Sequence, residues 1–137
     1  MISTDPARLD RRLIHHFLAH SSYWAVGIPA AVVARALEHS LCFGLYAPAG
    51  QVGLARVVTD RATVAYLADV FVLPEHRGRG LSKWLMTTVV AHPELQGFRR
   101  FLLNTRDAHG LYRGFGFTTP AHPEWAMERF DPDVYER

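Results

Sequence analysis

Residues 77–83 form the segment with the clearest chemical potential, a run that reads Arg-Gly-Arg-Gly-Leu-Ser-Lys. It lies between an apolar stretch typical of a buried strand and a segment with helical periodicity. Glycines in such a turn let the backbone approach a phosphate, and the amides and dipole of the following helix favour its negative charge. Arg77, Arg79 and Lys83 add positive charge. The segment therefore predicts a phosphate or pyrophosphate cradle, although an ordinary turn with solvated arginines accounts for the glycines equally well.

The glycine spacing excludes two common nucleotide-binding loops. The phosphate loop of nucleoside triphosphatases requires GxxxxGK[ST], which the chain lacks. The dinucleotide fingerprint requires three glycines, as GxGxxG, at an early turn between a strand and a helix. This chain has two glycines at a late turn.

Asp69 is the most conspicuous acid, because it interrupts an apolar run over residues 63–73. A carboxylate within a buried strand costs free energy unless it is paired or functional. Two interpretations stand side by side. Asp69 orients or deprotonates a substrate, directly or through water, or it is a structural acid bonded to backbone or to Arg56.

Cysteine and histidine give weaker signals. The chain has one cysteine, Cys42, which excludes an intramolecular disulfide and a Cys-rich zinc site. It lies on a predicted strand without a neighbouring histidine or acid, so we expect it to pack rather than react. His16 and His20 have the i, i+4 spacing of metal ligands, but no third ligand is recognisable and we predict no metal site.

The composition indicates one domain over residues 1–137, with 49% hydrophobic and 20% charged residues. That apolar content argues against intrinsic disorder. A net charge of +2 without a dense basic stripe argues against a nucleic-acid partner. No apolar run approaches a membrane span and no signal peptide is visible, so we expect a cytoplasmic protein without a membrane partner.

The apolar periodicity predicts the elements that must position these residues. Helices are expected from Asp5 to Leu18, after residues 27–29, over 81–91 with Leu81, Trp84, Leu85, Thr88 and Val89 on one face, and over 108–113. Strands are expected over 41–46, 51–59, 63–73 (buried on both faces), 101–104 and 125–130. The order indicates an α/β or α+β domain with a mixed sheet. The last strand would offer an edge through which two copies could form a homodimer.

Two segments resemble motifs of the GNAT superfamily of acyl-CoA-dependent N-acyltransferases. Residues 70–86, VFVLPEHRGRGLSKWLM, resemble its motif A, with Val72, Pro74, Arg77 and Gly80 at matching positions and Ser82 where glycine or alanine is usual. Residues 111–117, LYRGFGF, resemble its LYxxxGF motif. One predicted helix and one predicted strand separate the two motifs, as in the family.

The resemblance implies the GNAT fold, a mixed central sheet with splayed parallel strands flanked by helices, and acetyl-CoA as co-substrate. An Asn that often contacts the cofactor would fall at Thr105, beside Asn104. The implied cofactor-binding residues are Val70, Phe71 and Val72 at the acetyl-pantetheine, Arg77, Gly78, Arg79, Gly80, Leu81, Ser82 and Lys83 around the pyrophosphate, and Asn104.

The resemblance also implies catalytic roles. Tyr112 falls on the tyrosine that protonates the departing thiolate, with packing on Phe101 or Phe117 as the structural alternative. A backbone N–H near Phe71 or Val72 would face the thioester oxygen. Tyr66 lies where some members place a glutamate base, a role that a tyrosine does not fill near pH 7.

The acceptor site is implied between the first two helices and the strand splay. Tyr23 and Trp24 fall there and would stack on the acceptor, with Trp24 alternatively filling the core. LADVFV, residues 67–72, resembles a stretch of polyamine acetyltransferases in which the Asp at the position of Asp69 helps to hold the amine. Ala68 replaces the neighbouring glutamate of that stretch, which argues against a strongly cationic polyamine.

Together these residues predict an enzyme that transfers an acetyl group from acetyl-CoA to a primary amine of a small molecule, by direct attack in a ternary complex. The alternatives are a peptide or protein amine as acceptor, and a catalytically silent acyl-CoA-binding sensor module.

Overall fold

The computed structural model describes residues 1–136, which form one mixed sheet of five strands in the order β1-β2-β3-β4-β5. Neighbouring strands are antiparallel except β4 and β5, which run parallel. The strands are β1 (Ile2–Ser3), β2 (Leu41–Ala47), β3 (Gly50–Thr59), β4 (Val64–Val72) and β5 (Arg100–Leu103). The predicted mixed sheet is therefore present, with β1 as an additional short strand that the sequence analysis did not predict.

Four helices flank this sheet within the described residues: α1 (Arg11–His20), α2 (Ala30–Glu38), α3 (Leu81–Ala91) and α4 (His109–Arg113). Cys42 and Leu54 pack with α1 and α2, whereas Phe43 and Ala55 pack with α3. Successive strand residues point to opposite faces, so the two helix layers lie on opposite sides of the sheet. None of the helices in residues 1–136 is long and apolar enough to cross a membrane.

The two parallel strands separate part of the way along β4. Their pairing extends from Val64 opposite Arg100 to Leu67 opposite Leu103. β4 continues along β3, but Asp69 and Val70 together stand opposite the single residue Ala55. This bulge bends β4, and Asp69 has a left-handed backbone with φ of 53°. A gap therefore opens between β4 and β5 at Asp69.

The N-terminal helix begins later than predicted. Asp5 caps a short 3-10 turn over Pro6–Arg8, where its side chain accepts a hydrogen bond from Ala7 N at 2.9 Å. α1 is a separate helix, capped by Asp10, whose Oδ1 accepts from Leu13 N at 3.0 Å. Two Asp residues five positions apart each provide an N-cap, and the sequence pattern identified the first only.

The predicted strand over 125–130 is wrong. Pro123–Trp125 form a 3-10 turn, and residues 126–130 have no regular structure. Trp125, Met127 and Phe130 are exposed. The apolar residues of this segment suggested a strand, but the segment has no ladder partner within the described chain. The strand edge proposed for a homodimer is therefore absent from this segment, and the homodimer itself stays a prediction.

Two burial predictions also need correction. Trp84 was expected on the inner face of α3 but is 45% exposed, because Leu85, Met86 and Val89 form that face. β4 was expected to be buried on both faces, yet Val64 and Tyr66 are more than a third exposed. The face that carries Val64 and Tyr66 is left uncovered, whereas Ala65 and Leu67 on the opposite face pack with α3.

Candidate functional site

Asp69 lies at the bulge and binds two side chains that the sheet and the first helix connection bring to it. Its Oδ2 accepts a hydrogen bond from Arg56 Nε at 2.7 Å, and its Oδ1 accepts one from Trp24 Nε1 at 2.8 Å. Arg56 also donates to Ser40 Oγ at 3.0 Å. The Asp69 side chain is only 11% exposed, and aspartate is one of the few residues other than glycine that tolerates a left-handed backbone. The predicted pairing with Arg56 is therefore present, and the carboxylate also faces a cleft.

That cleft occupies the gap between β4 and β5 and has a volume of about 420 Å³. Its walls come from the first helix connection, the middle of β4, and the chain from the end of β5 to α4. The structure thus brings the candidate residues Tyr23, Trp24, Asp69, Val70, Asn104 and Tyr112 to one cavity, together with Tyr66, Leu67, Ala68, Leu103 and residues 105–108.

Tyr112 contributes a buried phenol to the cleft. It is 9% exposed, and burial, with smaller contributions from nearby Tyr23 and Asp107, raises its pKa to about 12. The phenol therefore stays protonated at neutral pH and remains a proton donor. Its ring also packs edge-on against Phe117, with centroids 6.1 Å apart. The packing and the proton-donor interpretations of Tyr112 are thus compatible.

Tyr23 and Trp24 form an aromatic wall of the cleft. The Tyr23 hydroxyl accepts a hydrogen bond from Arg106 N at 2.9 Å, and the Arg106 guanidinium carbon lies 3.8 Å from the centroid of its ring. The Trp24 ring meets Tyr23 edge-on at 5.0 Å and is 41% exposed. Trp24 therefore lines the cleft and does not fill the core.

The Gly-rich turn forms a second hollow of about 310 Å³ at the start of α3. Gly78 and Gly80 have φ of 80° and 75°, a region in which residues with a Cβ are strained. Gly80 is the N-cap of α3 and no side chain caps the helix, whose first internal bond runs from Trp84 N to Gly80 O. The hollow is lined by Val72, Arg77, Gly78, Gly80, Leu81, Ser82, Lys83 and Leu111. Free first-turn amides and two cations are a donor set that fits a pyrophosphate.

Two arginines of the turn differ in placement. Arg77 Nε donates to Val72 O at 2.8 Å, so this side chain ties the turn to the end of β4. Arg79 is exposed and does not line the hollow.

The backbone of Val72 points into the gap. Leu73 N donates to Val52 O at 2.8 Å, so Leu73 faces β3. Backbone groups of successive strand residues alternate in direction, and Val72 N–H therefore points away from β3. Phe71, by contrast, is 4% exposed and stacks on Phe17 with centroids 4.0 Å apart. Its side chain belongs to the core, and by the same alternation its backbone groups face β3, with Phe71 O 2.7 Å from where a Cβ of Gly53 would stand. The predicted contact of Phe71 with the acetyl-pantetheine therefore lacks support in this geometry.

Asn104 and Thr105, the two candidates for the family Asn, have different surroundings. Asn104 Nδ2 donates to the Tyr66 hydroxyl at 3.1 Å, across the cleft mouth from β5 to β4. Thr105 Oγ1 accepts from Ala108 N at 3.0 Å and so stabilises the turn before α4. Both residues line the cleft.

Cys42 packs in the core, as the sequence predicts, whereas His16 and His20 are exposed on α1. Cys42 is 5% exposed, and burial raises the pKa of its thiol to about 11, which keeps it protonated and unreactive. His16 and His20 have ring centroids 4.8 Å apart. No group of three or more His, Cys, Asp or Glu side chains in residues 1–136 is placed to hold a metal ion.

Several residues in or near these cavities were not identified from the sequence as site residues. Arg106 and Asp107 line the cleft, and Leu111 lines the hollow at the turn. Tyr135 reaches the core cluster of α1 and α2 from the end of the chain. Only Leu111 lies within a motif; the others depend on loop paths that spacing does not encode.

A sequence model of the GNAT acetyltransferase domain matches residues 38–119 of the chain. The match includes β4, the Gly-rich turn, α3 and α4. A candidate acetyltransferase of the fungus Gibberella zeae is 36% identical, over 82% of this chain and 75% of its own length.

Two solved structures are similar to the chain, at high and at low sequence identity. A candidate acetyltransferase of the GNAT family from Xanthomonas campestris pv. campestris is 57% identical and superposes with a TM-score of 0.98, over 100% of this chain and 96% of its own. A candidate acetyltransferase from Deinococcus radiodurans has a TM-score of 0.76 over 98% of this chain and 90% of its own. At 19% identity that second likeness concerns the fold alone.

Proposed function

The chain belongs to the GNAT family of acetyltransferases, and on that premise we propose that it transfers an acetyl group from acetyl-CoA to the primary amine of a small molecule. One observation carries the proposal: the phosphate-type hollow and the cleft with Tyr112 meet along the same stretch of β4. Val72 borders the hollow and Val70 borders the cleft. An elongated thioester with a pyrophosphate at one end matches that arrangement.

Residues on either side of the gap would hold acetyl-CoA. The first-turn amides of α3, with Arg77 and Lys83, meet the pyrophosphate, and Arg79 adds to the positive field from outside. The β4 backbone at Val70 and Val72 faces the pantetheine arm, and Asn104 borders its path beyond β5. Bound acetyl-CoA supplies the activated acetyl group.

The chain's own groups then assist a direct transfer. The acceptor nitrogen attacks the thioester carbon and the carbon–sulfur bond breaks. The Val72 N–H stabilises the negative charge that develops on the thioester oxygen. Tyr112 O–H gives its proton to the departing sulfur, and the phenolate then regains a proton from solvent. The raised pKa of Tyr112 means that the phenol is protonated before the transfer. The proton of the acceptor nitrogen leaves to solvent through the open cleft.

Asp69 is a positioning residue in this scheme. Arg56 and Trp24 each donate a hydrogen bond to one of its carboxylate oxygens and hold the carboxylate in place at the cleft. Its remaining lone pairs accept a hydrogen bond from the acceptor amine. A silent acyl-CoA sensor would need the hollow but not a protonated phenol in the cleft, so Tyr112 favours the enzyme.

The experiment places a negative charge in the hollow. Ser82→Asp adds a carboxylate at the first turn of α3, where it benefits from the helix dipole and does not weaken the fold. We expect the Kd for acetyl-CoA to rise at least about tenfold, because like charges about 4 Å apart near a protein surface repel by several kcal/mol.

Thr87→Asp is the matched control, since Thr87 is exposed on the same helix and does not line the hollow. Calorimetric titration with acetyl-CoA measures the Kd of each variant. Equal Kd values for the two variants, or no saturable binding by the unmodified protein, would contradict the proposal.

A further inference from the structure

A separate apolar cavity lies behind the cleft, between α1, α2 and the sheet. It has a volume of about 270 Å³. Its aliphatic lining comes from Leu18, Ala25, Ile28, Val32, Val33, Ala36 and Leu37. A polar edge is formed by Arg56 and Asp69, and Tyr135 closes the side near the chain end.

The cavity and the cleft share a wall. Trp24, Tyr66, Ala68 and Asp69 line both, and the Trp24–Asp69 hydrogen bond runs along that boundary. A molecule whose body occupies the cavity therefore has its polar end at Asp69, beside the thioester position proposed above.

The charge in the cavity is balanced. Asp69 is the only acid among the described residues that line it, and the Arg56 guanidinium binds it at 2.7 Å. A polycation would need several unpaired carboxylates, whereas a single amine on an apolar body needs one hydrogen-bond acceptor and an apolar surface. We infer that the acceptor is a compact apolar primary amine, of the size of isopentylamine, with its hydrocarbon part in this cavity. This inference rests on the proposed function.

Tyr135 sets the length of the acceptor. It packs against the α1–α2 core, and its carbonyl oxygen lies close to Gly27, 3.8 Å from where a Cβ would stand. Removing its ring opens the side of the cavity near the chain end. Tyr135 is therefore a specificity residue contributed by a segment that the glycine and tyrosine motifs do not include.

The test has a binding arm and a turnover arm. Calorimetry measures isopentylamine binding to the full chain saturated with CoA, with spermidine as the polycationic comparison. We expect saturable isopentylamine binding at least about tenfold tighter than spermidine. Ala36→Phe, which fills the cavity, should weaken isopentylamine binding at least about tenfold, since one methylene in an apolar pocket is worth 10- to 200-fold. Ala31→Phe, at an exposed position of the same helix, should leave it unchanged.

Turnover tests the specificity role of Tyr135. The ratio of kcat/KM for octylamine to that for isopentylamine should rise at least about tenfold in Tyr135→Ala. An unchanged ratio would overturn that role.

Binding outcomes separate the inference from the proposed function. Three results would overturn the inference even if acetyl-CoA binds. They are equal binding of spermidine and isopentylamine, no isopentylamine binding, and equal effects of Ala36→Phe and Ala31→Phe on isopentylamine binding. Isopentylamine binding that Ala36→Phe abolishes, without acetyl-CoA binding, would support the cavity assignment and overturn the acetyltransferase.

Discussion

The Trp24 indole N–H donates a 2.8 Å hydrogen bond to the Asp69 carboxylate across 45 residues of sequence. This contact joins the connection between α1 and α2 to the bulge of β4. It also forms part of the boundary between the cleft and the apolar cavity. A single carboxylate thereby links the helix layer, the sheet through Arg56, and the proposed acceptor site.

Asp69→Asn tests that link with little change in shape. Asparagine tolerates the left-handed backbone and can still accept from Trp24, but Arg56 loses its counter-charge. We expect the free energy of unfolding to fall by about 1–3 kcal/mol and KM for the amine to rise.

Glu94→Gln is the matched control, because the ion pair of Glu94 with Arg61 is about half exposed. Its loss should lower the free energy of unfolding by less than about 1 kcal/mol. Urea unfolding and amine kinetics check both. An Asp69→Asn protein with unchanged stability and unchanged KM would show that this acid has neither role.

Tyr112→Phe removes the proposed acid and keeps the ring that packs on Phe117. We expect kcat to fall at least about 100-fold, the usual range for general acid catalysis, while the Kd for acetyl-CoA stays within about threefold. Steady-state kinetics with a saturating amine gives the first quantity and calorimetry the second. Equal loss of binding and turnover would instead assign Tyr112 to binding.

Alkaline stability depends on two buried acids. Burial raises the pKa of Tyr112 from 10.0 to about 12 and that of Cys42 from 9.0 to about 11. A group whose folded-state pKa is raised stabilises the fold fully below its unfolded-state pKa, and that contribution disappears as pH rises through the folded-state value. Stability should therefore decline from pH 9 upward, at most by about 1.4 kcal/mol per pH unit for each group.

Urea unfolding between pH 8 and pH 11 measures this decline. Cys42→Ala should shift the onset of this decline from about pH 9 to about pH 10, the pH at which the tyrosine in the unfolded chain begins to ionise. An onset that Cys42→Ala leaves in place would contradict the assignment to the thiol.

Gly53 allows β3 to approach β4 closely just before the proposed thioester position. A Cβ there would stand 2.7 Å from Phe71 O, a backbone atom that cannot rotate away. Gly53→Ala should lower the free energy of unfolding by about 1–3 kcal/mol and weaken acetyl-CoA binding, because the strand behind the gap must shift.

Gly110→Ala is the comparison, since nothing lies within 4 Å of a Cβ at Gly110 and the residue is helical. It should be neutral or slightly stabilising. Urea unfolding of the two variants side by side measures the difference. Similar stabilities would mean that the close approach at Gly53 is not a constraint.

The sequence predicted those parts of the molecule that depend on local pattern. The helix over 81–91 has the predicted bounds, because glycines precede it and its buried residues recur at helical spacing. The site residues Asp69 and Tyr112 came together because each lies in a motif with a fixed place in the fold. The placement of Trp24 was harder to predict, because an aromatic residue in a helix connection can face the core or the solvent. In the structure, its hydrogen bond to Asp69 fixes its orientation at the cleft.

Other features depend on the partner of a segment rather than on its composition. Residues 125–130 contain large apolar side chains suited to a strand but have no pairing partner in the described chain. Tyr66 and Trp84 are exposed because no helix covers their faces, which the apolar periodicity of β4 and α3 does not reveal. Tyr135 reaches the cavity only because the chain end folds back onto α1 and α2.

Release of CoA thiol from acetyl-CoA, measured against a panel of aliphatic, aromatic and peptide amines, tests the central claim most directly. The account predicts amine-dependent release that is greatest with compact apolar primary amines, with an N-acetyl product identified by mass spectrometry, and at least about 100-fold slower turnover in Tyr112→Phe. Saturable acetyl-CoA binding with no amine-dependent release above background hydrolysis would contradict it.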